Sequence, residues 1–286
     1  MDPTPSLARR LWNAVEPIHA TVYFDGGPSA ALRAAGIPSG WMCYFAGRFA
    51  PLGALGPGPA AAMAYGFAPA RVARALPDAW SLSPPDVVLD AWSSGAGAAL
   101  RRHLVDFDGP DIDELDALLA EAVLACRSEG RPLAAGWLDV AKTGDRFVDL
   151  WLGTTVLREH RGDGHVLAAV AAGLRGLDAI VTHVATGAVT RDLMQRNRGW
   201  TDDEWEEAER RLQARGILDT DGRLTKAGGQ LRRQVEETTD RLAAGPVERL
   251  GPAGVGRLIE LATPLSRHVI DSGVVPMPYG VGVPRP

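Results

Sequence analysis

The clearest periodicity in the chain lies in its C-terminal half, where apolar residues recur at helical spacing. Trp205 and Leu212 mark this apolar stripe. Thr201, with Glu204 three residues later, has the sequence of a capping box. We predict a helix that begins after Thr201 and stops at Gly216, because glycine commonly ends a helix at such a place.

The residues that follow predict a small antiparallel element and a second helix. Residues 217–224 form two short segments around an Asp-Gly turn, a pattern typical of a tight hairpin. Thr225 then caps a helix that we predict to run to Leu242. Helix, two-stranded wing and helix is the order found in a winged helix, and residues 209–242 resemble the corresponding part of MarR-type regulators.

The segment upstream of this unit is also predicted to be helical, in two pieces. The pieces are residues 151–160 and 166–174. Residues 162–164 read Gly-Asp-Gly, which predicts a turn between them. We expect Asp163 to cap the second piece.

The N-terminal half is rich in alanine and shows no convincing strand pattern. Its patterning predicts helices over residues 6–15, 29–35, 41–50, 60–67, 69–75, 85–103 and 112–129. We therefore expect a mainly α fold with two domains. The first is a multi-helical domain over residues 1–150, and the second is a winged-helix domain with a short two-stranded wing and a C-terminal extension over residues 151–286.

Composition narrows the class of protein without identifying it. Of the 286 residues, 46% are hydrophobic, which is ample for a packed core. Cys43 and Cys126, the two cysteines, lie in apolar segments, so we expect neither a disulfide framework nor a cysteine zinc site. The first residues lack the apolar run of a secretory signal, and prolines and glycines interrupt the apolar stretch 41–67. We expect a cytoplasmic protein that does not insert into a membrane.

The predicted reading helix carries an acidic surface. In a winged helix, the helix before the wing enters the major groove of DNA. Six of the eight residues from 202 to 209 are Asp or Glu, and the chain has a formal net charge of −5. Because DNA affinity depends largely on Lys and Arg side chains that neutralise phosphates, we expect no specific binding of duplex DNA.

Motifs spread over roughly residues 11–275 resemble an actinobacterial family described as SalK-like or helix-turn-helix-containing. The motifs are Glu16-Pro-Ile-His19, Tyr23-Phe24, Trp41 to Arg48, Leu157 to His165, Val181-Thr-His183 and Arg198-Gly-Trp200. Members of this family are often encoded beside natural-product pathways. The resemblance therefore implies a role in that chemistry, without a settled activity.

The segment 158–165 carries six ionisable side chains in eight positions. Such density is costly to bury unless the charges pair, so one interpretation is an ion-pair network between the domains. The other is a polar pocket in which Glu159 orients His160 or His165 for general acid or base catalysis.

Two further pairs of polar residues lie in apolar N-terminal surroundings. Glu16 and His19 are spaced to share one helical face. A mononuclear metal site that combines them with other histidines stays open as an alternative, although a hydrogen-bonded core histidine is the simpler interpretation. Tyr44 and Arg48 also share a face, and Arg48 requires an anion, which is either Glu16, Glu159 or an oxygen of a substrate.

We assign candidate roles on this basis. The candidate catalytic residues are His19, Glu159, His160 and His165. The candidate substrate-binding residues are Tyr23, Tyr44, Arg48, Arg158 and His183. We expect His19, Arg48, Glu159 and His160 to converge, because polar groups in apolar surroundings need one another or a ligand.

These observations favour a cofactor-independent enzyme that acts on an apolar small molecule by acid–base chemistry. A cyclase, dehydratase or isomerase of natural-product biosynthesis fits this description. No nucleotide-binding or hydrolase motif is present, and we expect neither a cofactor nor a metal. A winged-helix transcriptional regulator and a ligand-sensing binding protein remain alternatives. A homodimer is compatible with these observations.

Overall fold

The computed structural model describes residues 4–38, 40–107 and 109–286, and these form a mainly helical fold. The helices are α1 (Thr4–Phe24), α2 (Gly26–Ala34), α3 (Gly40–Phe49), α4 (Pro57–Met63), α5 (Pro69–Ala73), α6 (Asp78–Leu82), α7 (Pro85–His103), α8 (Pro110–Val123), α9 (Pro132–Leu138), α10 (Arg146–Ala171), α11 (Gly176–Val184), α12 (Arg191–Arg198), α13 (Asp202–Ala214), α14 (Lys226–Leu242) and α15 (Gly245–Asp271). Short 3-10 turns cover Ala50–Leu52 and Val105–Phe107.

Helix α10 lies at the centre of the molecule and packs against α1, α7, α8, α9 and α14. The carboxylate of Asp145 caps its N-terminus and accepts hydrogen bonds from the backbone N–H groups of Phe147 and Val148. Apolar side chains such as Leu150 and Trp151 are fully buried in the core around it. Because α10 is surrounded, its polar residues meet side chains from several other helices.

The predicted break in this helix at residues 162–164 was wrong. Asp163 does not cap a new helix; its carboxylate accepts a hydrogen bond of 3.0 Å from the backbone N–H of Ala134. Gly164 allows α14 to approach closely, since an added Cβ would lie 3.2 Å from Cβ of Leu242. Packing of α9 and α14 therefore overrides the local preference of Gly-Asp-Gly for a turn.

The C-terminal helices agree closely with their local sequence signals. Thr201 and Glu204 form the predicted capping box at the start of α13, and the hydroxyl of Thr225 caps α14. Helix α12 ends at Gly199, which adopts a left-handed conformation with φ 81°. Helices α12 and α13 are thus joined by a tight turn.

The predicted two-stranded wing is not found. Between α13 and α14, the described residues contain a single antiparallel bridge, from Leu218 to Leu224, and no named strand. The carboxylate of Asp219 accepts hydrogen bonds from the backbone N–H groups of Asp221 and Arg223. The Asp219 side chain therefore holds residues 219–223 in a compact loop. Too few residues then remain between α13 and α14 for two paired strands.

Buried apolar residues form two clusters. The larger cluster joins α1–α10 with α15 and the C-terminal segment, because α15 packs along α1 and α8. The smaller cluster joins the end of α10 with α11–α14. The division of the chain at residue 150 stays a prediction.

Within the described parts of the chain, no helix taken alone combines the length and apolar composition that a membrane span requires. Helices α10 and α11 meet that requirement only as a pair, and they are bent by 97° at their junction.

Candidate functional site

A cavity of about 700 Å³ lies where α1, α10, α11 and α14 meet. Helix α3 and the C-terminal segment 280–284 complete its wall. Apolar and aromatic side chains supply part of the lining, among them Trp12, Met63, Phe67, Ile180 and Val281. This size is within the usual range of small-molecule sites.

One side of the cavity is formed by a network of buried ion pairs. Arg48 donates two hydrogen bonds to the carboxylate of Glu159, from Nε at 2.9 Å and from Nη2 at 2.7 Å. Arg158 bridges two acids, because its Nη1 donates to Glu159 at 2.9 Å and its Nε donates to Glu16 at 3.1 Å. The salt bridge predicted for Arg48 is therefore present, and Glu159 is its partner.

Glu159 is the centre of this network. Its side chain is 1% exposed, and burial alone would raise its pKa. The positive charges of Arg48 and Arg158 outweigh burial and lower the pKa of Glu159 to about 2. The carboxylate is therefore ionised at neutral pH, so it cannot act as a general acid there.

His19 and Tyr23 lie behind the wall rather than in it. His19 Nδ1 is 2.9 Å from the hydroxyl of Thr155, and Nε2 is 3.0 Å from the hydroxyl of Tyr23. Burial, and after it the charge of Arg158, hold the pKa of His19 well below its usual value. Neither His19 nor Tyr23 is among the described residues that line the cavity. His19 is thus a neutral, hydrogen-bonded histidine of the core.

The expected convergence of four polar groups is only partly present. Arg48 and Glu159 are in direct contact, and the charges of both act on His19. His160 instead lines a separate small cavity with Leu11, Leu157 and Arg161. Consecutive helical residues point about 100° apart, so the buried Glu159 and His160 face different neighbours.

His165 and His183 do line the large cavity. His165 Nδ1 is 3.1 Å from the hydroxyl of Thr239, and Nε2 of His183 has no hydrogen-bond partner among the described residues. Burial, with the charge of Arg232 and others, lowers the pKa of both imidazoles to about 4. Both imidazoles are therefore neutral at pH 7.

Two arginines in the cavity wall were missed in the sequence. Arg198 lies over the ring of Phe67, with its guanidinium carbon 4.2 Å from the ring centroid, and its Nη2 donates to the backbone oxygen of Gly280 at 3.1 Å. Arg232 is 7% exposed and donates to Glu236 at 2.8 Å. Arg198 belongs to the quoted motif Arg198-Gly-Trp200, and Arg232 lies in the helix predicted after Thr225, but neither position indicates a binding role in a chain with so many arginines.

The alternative metal site is not supported by the placement of its residues. Among the described residues, no group of three or more His, Cys, Asp and Glu side chains is arranged to hold a metal ion. The candidate histidines lie in different surroundings. His19 contacts Tyr23, His160 lines the small cavity, and His165 contacts Thr239.

The acidic surface predicted for α13 is present. Trp205 and Ala208 face the core and are buried. The carboxylate-bearing side chains that face solvent are Asp202, Asp203, Glu204, Glu206 and Glu207.

A family model described as a helix-turn-helix family matches residues 8–276, which is nearly the whole chain. No curated protein and no solved structure matches the chain at a significant level.

Proposed function

The chain belongs to this helix-turn-helix family, and we propose that it is a cofactor-independent enzyme that acts on a small molecule in the central cavity. The single observation that carries the proposal is the cavity of about 700 Å³, which combines apolar walls with ordered, buried polar groups. A site of this kind can hold the apolar body of a ligand while a few polar groups fix its orientation.

The polar groups supply the parts needed for proton-transfer chemistry. Tyr44 and Arg48 both line the cavity, and Nη1 of Arg48 donates to the hydroxyl of Tyr44 at 3.3 Å. This pair is the proposed holder of a developing oxyanion, since a hydrogen bond from a guanidinium favours negative charge on the neighbouring oxygen. Glu159 acts as a positioning residue, because its carboxylate holds Arg48 from behind.

His165 is the proposed proton-transfer group. It lines the cavity, and the hydroxyl of Thr239 fixes its ring. A pKa of about 4 keeps the imidazole in its neutral form, which is the form that accepts a proton. His160 lines the other cavity and offers a matched comparison.

The reaction class and pathway are proposed more narrowly from the resemblance to the SalK-like family. Isomerisation, cyclisation and dehydration with release of water involve no net oxidation or reduction, so lyase or isomerase chemistry at this site needs acid–base groups but no redox partner. Members of that family are often encoded beside natural-product pathways, which supports a tailoring step in natural-product biosynthesis.

Untargeted turnover tests this proposal. The purified protein is incubated with small-molecule extracts of its own host, and mass spectrometry follows which compounds are depleted and which isomers or dehydrated products appear. His165→Gln should lower turnover by roughly 10²–10⁴, the usual worth of general acid or base catalysis. His160→Gln is the control and should act like the parent protein. Equal turnover by the two variants would contradict the role of His165.

A ligand-sensing regulator is the second candidate, and the helix-turn-helix family match favours it. In this candidate α12, its tight turn and α13 would contact DNA while the cavity holds an effector. A gel-shift titration at low salt discriminates the two. Sub-micromolar, sequence-dependent binding that is lost when α13 is mutated would support the regulator, whereas weak binding that is insensitive to sequence would support the enzyme.

A further inference from the structure

The cavity wall contains more guanidinium groups than carboxylates. Seven arginines line it, against three glutamates. Arg48 and Arg158 are neutralised by Glu159 and Glu16. Arg9 and Arg161 share Asp240, at 2.6 and 2.8 Å. The excess of positive charge therefore lies at the three remaining arginines, Arg198, Arg232 and Arg233. The formal net charge of the whole protein is −5.

Arg232 has the smallest exposed fraction of these three arginines. Only 7% of the residue is exposed, and one nitrogen, Nη2, donates to Glu236. The same carboxylate also lies 3.9 Å from both Arg9 and Arg161, so its charge is shared. Nε and Nη1 of Arg232 have no acceptor among the described residues. Unpaired donors that are buried in this way are unfavourable unless something else accepts from them.

Arg198 adds a second guanidinium to this part of the wall, and the neutral imidazole of His183 lies beside the two arginines. Arg198 donates to a backbone oxygen but to no carboxylate in the described parts of the chain, and its Nε has no acceptor there. The ring of His183 lies close enough to both arginines that their charges, after burial, lower its pKa. Its Nε2 also has no partner within these residues. All three side chains line the same cavity.

We propose that the guanidinium groups of Arg198 and Arg232, which we call the cationic wall, bind an oxyanion head group of the cavity's ligand, and that the neutral imidazole of His183 lies beside it. The head group is a carboxylate or a phosphoryl group, which share the planar or tripodal oxygens that guanidinium forks recognise. The apolar body of the ligand then lies against Trp12 and Ile180. This inference rests on the proposed function, because it names the class of molecule that the same cavity takes.

The charge pattern explains why an anion rather than a neutral molecule is required. An oxyanion accepts from the free donors of Arg232 and Arg198 and also compensates their charge, whereas a neutral hydroxyl accepts a hydrogen bond but leaves the excess charge uncompensated. An oxyanion also satisfies more than one donor at once, since each of its oxygens can accept several hydrogen bonds.

A pair of dyes that differ by one anionic group tests the proposal. The probes are 8-anilinonaphthalene-1-sulfonate and N-phenyl-1-naphthylamine, which has the same rings without the sulfonate. Fluorescence titration of the parent protein should give an affinity about 10- to 100-fold higher for the sulfonate, the worth of a hydrogen bond to a charged group. Equal affinity for the two dyes would overturn the inference.

Substitutions in the cavity wall show which side chains cause the preference for the sulfonate dye. Arg232→Met and Arg198→Met should each remove most of the preference for the sulfonate while leaving binding of the neutral dye within about twofold. Arg223→Met is the matched control, because Arg223 lies outside the cavity and its side chain is 78% exposed; it should keep the full preference. Near-UV circular dichroism verifies folding, and if Arg232→Met fails to fold, Arg198→Met decides. Unchanged preference in a folded Arg198→Met or Arg232→Met variant would overturn the inference.

Displacement of the sulfonate dye then distinguishes the two head groups. The competitors are nonanoate, octyl phosphate and octanol, which share an eight-carbon alkyl tail. Competition by either anion at a concentration at least tenfold below that required of octanol supports the cationic wall, and the stronger anion identifies the head group. Competition by octanol alone would overturn the head group while leaving the proposed cavity function intact. If neither dye enters the cavity, both the inference and the proposed function are contradicted.

Discussion

Replacing Arg48 with methionine should destabilise the protein strongly. Methionine keeps much of the apolar stem but removes the guanidinium that donates to both oxygens of Glu159. Glu159, 1% exposed, cannot recover these hydrogen bonds from water. The carboxylate is then left with Arg158 as its partner.

The expected size of the effect follows from what remains. Removing one partner of a buried ion pair typically costs about 3–5 kcal/mol. Because Arg158 still donates to Glu159 at 2.9 Å, we expect the lower end of the range, about 3 kcal/mol. For a chain of this size, each kcal/mol lowers the melting temperature by roughly 2 °C, so Arg48→Met should melt about 6 °C below the parent.

A double-mutant cycle measures the coupling directly. Urea unfolding is followed for the parent, Arg48→Met, Glu159→Gln and the double variant. The double variant should be more stable than the sum of the single effects predicts, by about 2 kcal/mol, since the neutral amide no longer needs a charged partner. The control cycle uses Arg196 and Asp192, which form an exposed ion pair with side chains 71% and 70% accessible; it should show no measurable coupling.

The reasoning would be refuted if the effects of Arg48→Met and Glu159→Gln were additive. Additivity would mean that the two side chains do not depend on each other, whatever their separation. A parent-like stability of Arg48→Met would refute it equally, because an unpaired carboxylate in the core would then cost nothing.

Acidification and one glycine provide two further predictions. Burial lowers the pKa of three imidazoles to about 4, those of His160, His165 and His183. The unfolded chain therefore binds more protons than the folded one between pH 6.5 and 4, so stability should be full above pH 6.5 and fall towards pH 4. Asp163, whose pKa burial raises to about 6, opposes this trend with one group against four, because burial also lowers the pKa of His19. A melting temperature that is flat from pH 7.5 to 5 would contradict the prediction. Gly176→Ala should destabilise by roughly 1–3 kcal/mol, because its Cβ would overlap the backbone oxygen of Tyr65. Gly256→Ala, where an added Cβ meets open space in α15, is the control for thermal unfolding, and equal melting of the two variants would show that the contact is not needed.

Local signals predicted the C-terminal helices well. The capping box at Thr201 and the cap at Thr225 depend on residues within three positions of each other, so the sequence alone contains the required information. The same is true of α7, predicted and found over Pro85–His103. The helical class of the fold followed from these signals.

Features that depend on distant packing could not be predicted in this way. The continuity of α10 through Gly162–Gly164 depends on the N–H of Ala134 and on the approach of Leu242. Arg198 and Arg232 were missed because their unpaired donors exist only when α11, α12 and α14 enclose the cavity.

A crystal structure of the protein soaked with 8-anilinonaphthalene-1-sulfonate tests the central claim most directly. The account predicts that the dye lies in the cavity, its rings against Trp12 and Ile180 and its sulfonate within hydrogen-bond distance of Arg198 and Arg232. Dye found only on the exterior, with the cavity closed or filled by solvent, would contradict the claim that this cavity is the site at which the protein binds an anionic small molecule.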